Sequence, residues 1–281
     1  MVNNNLIEYK EYKDWLEKRN LTFETIQIKL RHIRQYGKRK LNTDKIADFL
    51  KDNLKYSPYH LGNLRNSLVS YARFQKVESK IEWEFIMRII PKVQPKLFPT
   101  IDYEDLEKLK NAHKQTNKKN AERDSLILDF FFYTGLRVSE LVNIKHLDYQ
   151  DGILKVHGKG NKFRFIPVPD FLVKYFNDSS GYLFQTRWGK KIHPSQVRRM
   201  IYQRNKKVGL NKHISPHTFR RSFATLSNNR GIKLTTIQKV LGHSDIQTTS
   251  SYIHNSHEEI YNELNSKLWI SPPPPRIFNL F

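Results

Sequence analysis

The stretch Leu126-Ile-Leu-Asp-Phe-Phe-Phe-Tyr-Thr-Gly-Leu-Arg-Val-Ser-Glu-Leu141 decides how the chain folds. Its first eight residues are almost wholly apolar, and Thr134-Gly135 ends the run. Such a run reads as a helix buried in a core, with the glycine as its stop. Arg137 follows at once, and a new helix starts at Val138. An arginine fixed at a helix junction presents a planar fork of donors to an oxyanion, and Glu140, three residues on, can brace it from the next turn. A surface arginine at an ordinary junction would look the same, so its meaning depends on the rest of the chain.

Downstream, Ile153–Val156 and Phe163–Ile166 flank the turn Gly158-Lys-Gly-Asn161. Two β-prone runs around a glycine-rich turn make a hairpin. Helices are expected near Pro194–Lys207, Pro216–Asn228, Leu234–Leu241 and Glu258–Leu268, and upstream from a Thr100 cap through Leu106 and Leu109. The prolines at 272–275 leave an extended tail over 269–281. Pro91, Pro95 and Pro99 deny helix continuation, so 91–99 is a linker. Before it everything reads as helix. Leu6, Tyr9, Tyr12 and Leu16 recur at helical spacing. Thr22 can cap a helix with the stripe Ile26, Leu30 and Ile33 that stops at Gly37, and Thr43 one with Ile46, Phe49 and Leu50. Ser57-Pro58 opens a helix with Leu61, Leu64, Leu68 and Tyr71, and a shorter one lies between Ser79 and Ile90. The expected fold is mainly α: a helical domain over 1–90, then a mostly helical domain over 100–268 with a small antiparallel β-sheet.

The chain has 281 residues and carries 49 Lys and Arg against 27 Asp and Glu, a formal charge of +22. An excess that large implies a polyanionic partner, nucleic acid before an anionic membrane surface. Residues 1–95 hold 19 Lys and Arg against 11 acids and the remainder 30 against 16, so neither part alone owns that partner. Two basic lobes on a short linker would suit a clamp around a duplex. The absence of cysteine excludes disulfides, thiolate chemistry and Cys-ligated metal. No apolar run approaches a membrane span, and the N-terminus lacks the apolar core of a secretion signal, so the expected location is the cytoplasm.

Further chemistry-bearing residues recur along the second part. Lys159 stands at the tip of the hairpin turn, where exposed lysines are common; it can also reach into a groove to pair with phosphate or donate a proton. His217 and Arg220 in Pro216-His-Thr-Phe-Arg220 lie at i and i+3, on one helix face, near a helix N-terminus that favours an anion. His243 follows the helix-ending Gly242, and Tyr252 comes nine residues later. Two arginines, a lysine, two histidines and a tyrosine suit metal-free chemistry on one phosphodiester. The arginines would neutralise the transition state, the tyrosine attack phosphorus, and a Lys or His protonate the leaving oxygen.

The motifs TGLRVSEL (134–141), GKGNKFRFIPV (158–168), HTFRRSFAT (217–225) and LGHSDIQTTSSYIH (241–254) resemble those of the tyrosine recombinases, the phage-integrase-like family, and within it the two-domain Xer type. The resemblance is strong over about 100–254. It implies that Arg137 and Arg220 clamp the scissile phosphate, Lys159 protonates the leaving 5′ oxygen, His217 is an acid/base near the nucleophile, His243 hydrogen-bonds the phosphate, and Tyr252 forms a 3′-phosphotyrosyl link. It also implies a core-type DNA-binding domain at the N-terminus, a duplex core site with inverted half-sites, passage through a Holliday junction, and neither metal, cofactor nor ATP. A homotetramer would assemble on two sites by exchanging the C-terminal helix, for which Ile260, Leu264 and Leu268 form a suitable stripe; packing in cis is the alternative. The implied task is dimer or cointegrate resolution, since no further N-terminal arm-binding domain is expected, with integration of a mobile element or virus as the alternative. A strand breaker of the type IB topoisomerase kind and a non-catalytic DNA-binding protein on the same scaffold are the competing readings. Arg221 departs from the family, many members having His there, and the proline-rich tail is unusual.

Overall fold

A computed structural model describes residues 3–92, 98–112, 118–158, 163–242 and 257–269. The chain divides into two compact units, Met1–Lys96 and Leu97–Phe281. Both are built mainly of helices, as the apolar spacing indicates. The linker segment 93–97 and the tail from 270 onward fall outside the described residues.

The first unit contains α1 (Asn3–Glu17), α2 (Phe23–Tyr36), α3 (Thr43–Asp52), α4 (Pro58–Phe74) and α5 (Trp83–Ile89), with a 3-10 turn at Glu78–Lys80. Thr22 caps α2 through the Thr25 N–H, and Gly37 ends it at φ 72°. Ser57 caps α4, with Pro58 at the first helical position. The cap of α3 is Asn42, which accepts from the Lys45 N–H at 3.0 Å, and not Thr43. Thr43 instead accepts from the Glu82 N–H at 3.1 Å, tying α3 to the start of α5. Tyr12, Leu16, Ile33, Phe49, Leu64 and Leu68 meet in one buried core.

The second unit contains α6 (Tyr103–Asn111), α7 (Lys118–Thr134), α8 (Val138–Leu141), β1 (Tyr149–Gln150), β2 (Ile153–His157), β3 (Phe163–Pro167), α9 (Asp170–Val173), α10 (Pro194–Val208), α11 (Pro216–Asn229), α12 (Leu234–Leu241) and α13 (His257–Lys267). The cap of α6 is Asp102, in a reciprocal box with Asp105, and not Thr100. A carboxylate accepts the helix N–H better than a hydroxyl two residues further out can. Ile127, Leu128, Phe130 and Phe131 of α7 are fully buried, so the apolar run is the central helix.

The sheet runs β1-β2-β3, antiparallel throughout, with Val156 opposite Arg164 and Leu154 opposite Ile166. The two-residue β1 was not anticipated. Its turn to β2 is Asp151-Gly152, both at positive φ, a pairing that favours tight hairpins. Among the described residues no helix is long and apolar enough to cross a membrane.

The C-terminal stripe is seated on its own chain. Ile260, Leu264 and Leu268 join the core of the second unit, and the Trp269 indole donates to the Tyr133 carbonyl at 3.2 Å. Glu263 accepts from the Lys233 N–H (2.9 Å) and the Thr236 hydroxyl (2.7 Å), so α13 caps the start of α12. Leu264→Ala is therefore expected to destabilise the second unit by about 2–5 kcal/mol, the range for emptying a buried leucine site. Thermal or urea unfolding of the protein without DNA measures this; a change near zero would mean that the helix is unseated in solution.

Candidate active site

The site begins where α7 stops. The Thr134 hydroxyl donates back to the Phe130 carbonyl, inside the last turn. Gly135 then adopts φ +63° in a space where a Cβ would lie 2.7 Å from Leu241 and 2.9 Å from Phe223. Only glycine satisfies both the backbone angle and the close approach. The reversal returns Leu136 to the core and leaves Arg137 as the N-cap residue of α8.

Arg137 is held by Glu140 at both ends. The backbone N–H of Arg137 donates to Glu140 Oε2 at 2.7 Å, and its Nη1 to Oε1 at 2.7 Å. Glu140 is only 4% exposed. It also accepts both Nη groups of Arg164, at 2.6 and 2.8 Å. Burial works against its charge, yet the Arg164 and Arg137 donors prevail and hold its carboxyl down at about 2.

Arg220 reaches the same place from α11, whose N-terminus starts at Ser215-Pro216. Its side chain is 8% exposed and donates to the Gly135 carbonyl at 2.8 Å and the Leu241 carbonyl at 2.5 Å. Burial, then the neighbouring charge of Arg137, lowers the guanidinium to about 10, so it stays charged at neutral pH.

These contacts converge on the C-terminal end of α12. The Val240 carbonyl accepts from Arg164 Nε at 2.8 Å, Leu241 from Arg220, and Gly242 from Arg137 Nη2 at 3.4 Å. The last carbonyls of a helix lack partners within it and carry its negative dipole end, which suits cations. Three guanidiniums facing one carboxylate leave a positive excess in a poorly solvated place. An anion with several oxygens would complete it.

His217 lies one turn before Arg220 and is exposed. Its pKa is lowered by partial burial and then by the charges of Arg221, Arg220, Arg198 and Arg137, so the ring is held neutral near pH 7. Arg221 does not enter the cluster: its guanidinium stacks 4.6 Å from the Phe98 ring centre. Arg137, Arg220 and His217 are thus brought together. Lys159, His243 and Tyr252 lie outside the described residues.

Arg164 was not singled out by its motif. A signal was present all the same: it shares the inward parity of β3 with Ile166, and a charge at an inward position demands a buried partner. Among the described residues no three His, Asp or Glu side chains converge as metal ligands would.

Residues 99–259 match the model of the phage integrase family. The chain is similar to the tyrosine recombinase XerD of Staphylococcus haemolyticus (strain JCSC1435), with 34% identity over 195 residues, 63% of this chain and 66% of that relative. It is 30% identical to the XerD of Staphylococcus epidermidis (strain ATCC 12228 / FDA PCI 1200) over 277 residues, 90% of this chain and 87% of the relative. Among solved structures, a lambda integrase dimer bound to a COC′ core site superposes with a TM-score of 0.68, covering 89% of this chain and 98% of that one. The identity there is 19%, so that likeness is one of fold.

Glu140 provides a test of the cluster. Its carboxyl titrates at about 2 when folded, below the ordinary value of 4.5. A depressed value contributes stability above about pH 5, and that contribution is lost as pH falls toward 2. Glu140→Gln should therefore be less stable than the parent at pH 7, by up to about 3 kcal/mol. The gap should narrow through pH 4 and close near pH 2. Thermal melts across that range measure it, and a gap independent of pH would contradict the assigned ion cluster.

Proposed function

The chain belongs to the phage integrase family as a Xer-type tyrosine recombinase, and from that premise we propose how its residues break and rejoin DNA. Arg137 and Arg220 hold the non-bridging oxygens of one phosphodiester. Tyr252 attacks phosphorus and forms a 3′-phosphotyrosyl bond, while the 5′ oxygen leaves with a proton from Lys159. His217, neutral at the outset, accepts the tyrosine proton, and His243 hydrogen-bonds the phosphate. The reverse attack by a 5′ hydroxyl from the other duplex rejoins the strand, through a Holliday junction. The phosphotyrosyl bond conserves the energy of the phosphodiester, so no ATP is consumed.

The observation that carries this reading is the gathering of Arg137 and Arg220 at the C-terminal turn of α12, directly before His243. Two fixed guanidiniums are suited to the charge that develops on a pentacoordinate phosphorus, in a setting where they need not reorganise. The charge of +22 supports a duplex as the partner. The proposed assembly is a homotetramer on two core sites, and the proposed task is resolution of dimers or cointegrates. Because α13 is seated in cis in the single chain, exchange between protomers requires that seat to be vacated first.

The nucleophile is tested on a nicked suicide substrate. Tyr252→Phe should bind the half-site as the parent does and form no SDS-resistant adduct, while the parent's adduct should form in EDTA. An adduct surviving in the mutant would move the nucleophile elsewhere, first to Tyr261, whose hydroxyl donates to Asp170 at 2.8 Å. Strict dependence on Mg²⁺ would overturn the metal-free chemistry.

The general acid is tested separately. Lys159→Ala should slow cleavage by roughly 10²-fold or more, the range for loss of a general acid. A substrate with sulfur at the 5′ bridging position should recover much of that rate, since a thiolate leaves without a proton. Absence of recovery would make Lys159 a clamp instead. Sequencing genomic attachment points of the trapped adduct would identify the target site.

A further inference from the structure

Arg164 stands on β3, five residues after Lys159 in the chain, and it spends every nitrogen inside the protein. Nη1 and Nη2 bind the two oxygens of Glu140, at 2.6 and 2.8 Å, and Nε binds the Val240 carbonyl at 2.8 Å. Its side chain is 12% exposed. One planar group therefore joins three elements: the hairpin, the Arg137 junction and the end of α12. Each leads directly to a proposed active-site residue, namely Lys159, Arg137 and His243.

Gly242 belongs to the same device. A Cβ there would lie 2.9 Å from Arg164 Cδ, and its backbone is at φ +65°. The absence of a side chain lets Arg164 pass beneath the last turn of α12.

We propose that Arg164 is a positioning residue for strand cleavage, setting Arg137 through the shared Glu140 carboxylate and fixing the hairpin and the end of α12 relative to it. It does not touch substrate, because its donors are committed within the fold. Lysine cannot replace it: an ammonium on a flexible stem offers no planar fork, and it cannot reach two carboxylate oxygens and a carbonyl in one plane. The charged groups facing Glu140, among the described residues, are Arg137 from its own turn, Arg164 from β3 and Arg220 from α11. Removing the fork leaves the carboxylate buried with weaker support, so it takes up a proton at a higher pH than in the parent. A protonated Glu140 then accepts fewer bonds and frees the Arg137 head.

The inference rests on the recombinase reading of the site. The experiment is single-turnover cleavage of a nicked suicide substrate from pH 5 to pH 8, beside half-site gel-shift titration, for the parent and Arg164→Lys. The expected result is binding within about threefold of the parent and cleavage slowed by roughly 10²-fold, the scale for misplacing a reacting group by about 1 Å. The deficit should deepen as pH falls. Parent-like cleavage, a loss that merely follows binding, or a deficit flat across pH would each overturn the positioning role. A parent that binds but forms no adduct would instead overturn the recombinase reading, and the inference with it. If circular dichroism shows Arg164→Lys to be unfolded, Gly242→Ala displaces the guanidinium with its charge retained. Slowed cleavage with binding retained is then expected, and unchanged cleavage overturns the proposal.

Discussion

The carboxylate of Glu140 is the constraint on which the site depends. Removing a carboxylate from water costs several kcal/mol unless its partners are well placed. Here two guanidiniums and one backbone N–H surround it. Because the partners come from the α7–α8 junction and from β3, satisfying this one charge locks those elements together. A mis-set hairpin would leave a buried charge unpaired, so the geometry is enforced by a penalty as well as by an attraction.

The end of α12 extends the same logic. Its last three carbonyls each accept from a different arginine, Arg164, Arg220 and Arg137. Three like charges would ordinarily repel. The helix dipole and Glu140 offset part of that repulsion, and the remainder is what an incoming phosphodiester would relieve. Burial first, and then the charge of Arg137, lower Arg220 to about 10, while Glu140 works the other way and the guanidinium keeps its charge. Gly135 and Gly242 make room for it, one by letting the chain reverse against Phe223 and Leu241, the other by leaving space for Arg164.

The C-terminal helix links the core to the site. Its apolar stripe completes the core of the second unit, while Glu263 caps α12 from outside. Since α12 ends at the arginine cluster, whatever moves α13 acts on the helix that presents its carbonyls to the site.

Local signals along the chain determined most of the architecture. The apolar run 126–133, the Ser57-Pro58 cap, the Gly37 stop and the two β-prone runs each encode an element within a few residues. The caps at Asn42 and Asp102 were misplaced by one or two positions, because several side chains near a helix start compete for the same N–H and only the folded geometry selects one. The Asp151-Gly152 turn was legible but its strand is two residues long, too short for a period to show. Arg137, Arg220 and His217 could be named from their motifs. For Arg164 the strand parity signals only that a buried partner is needed; which partners could not be read, because they lie 24 and 76 residues away and only tertiary packing brings them within hydrogen-bond reach. The sequence thus determined which groups are available and which helices carry them. The tertiary structure decided which carboxylate and which carbonyls hold each guanidinium, because the cost of an unpaired buried charge is settled only once water has been excluded.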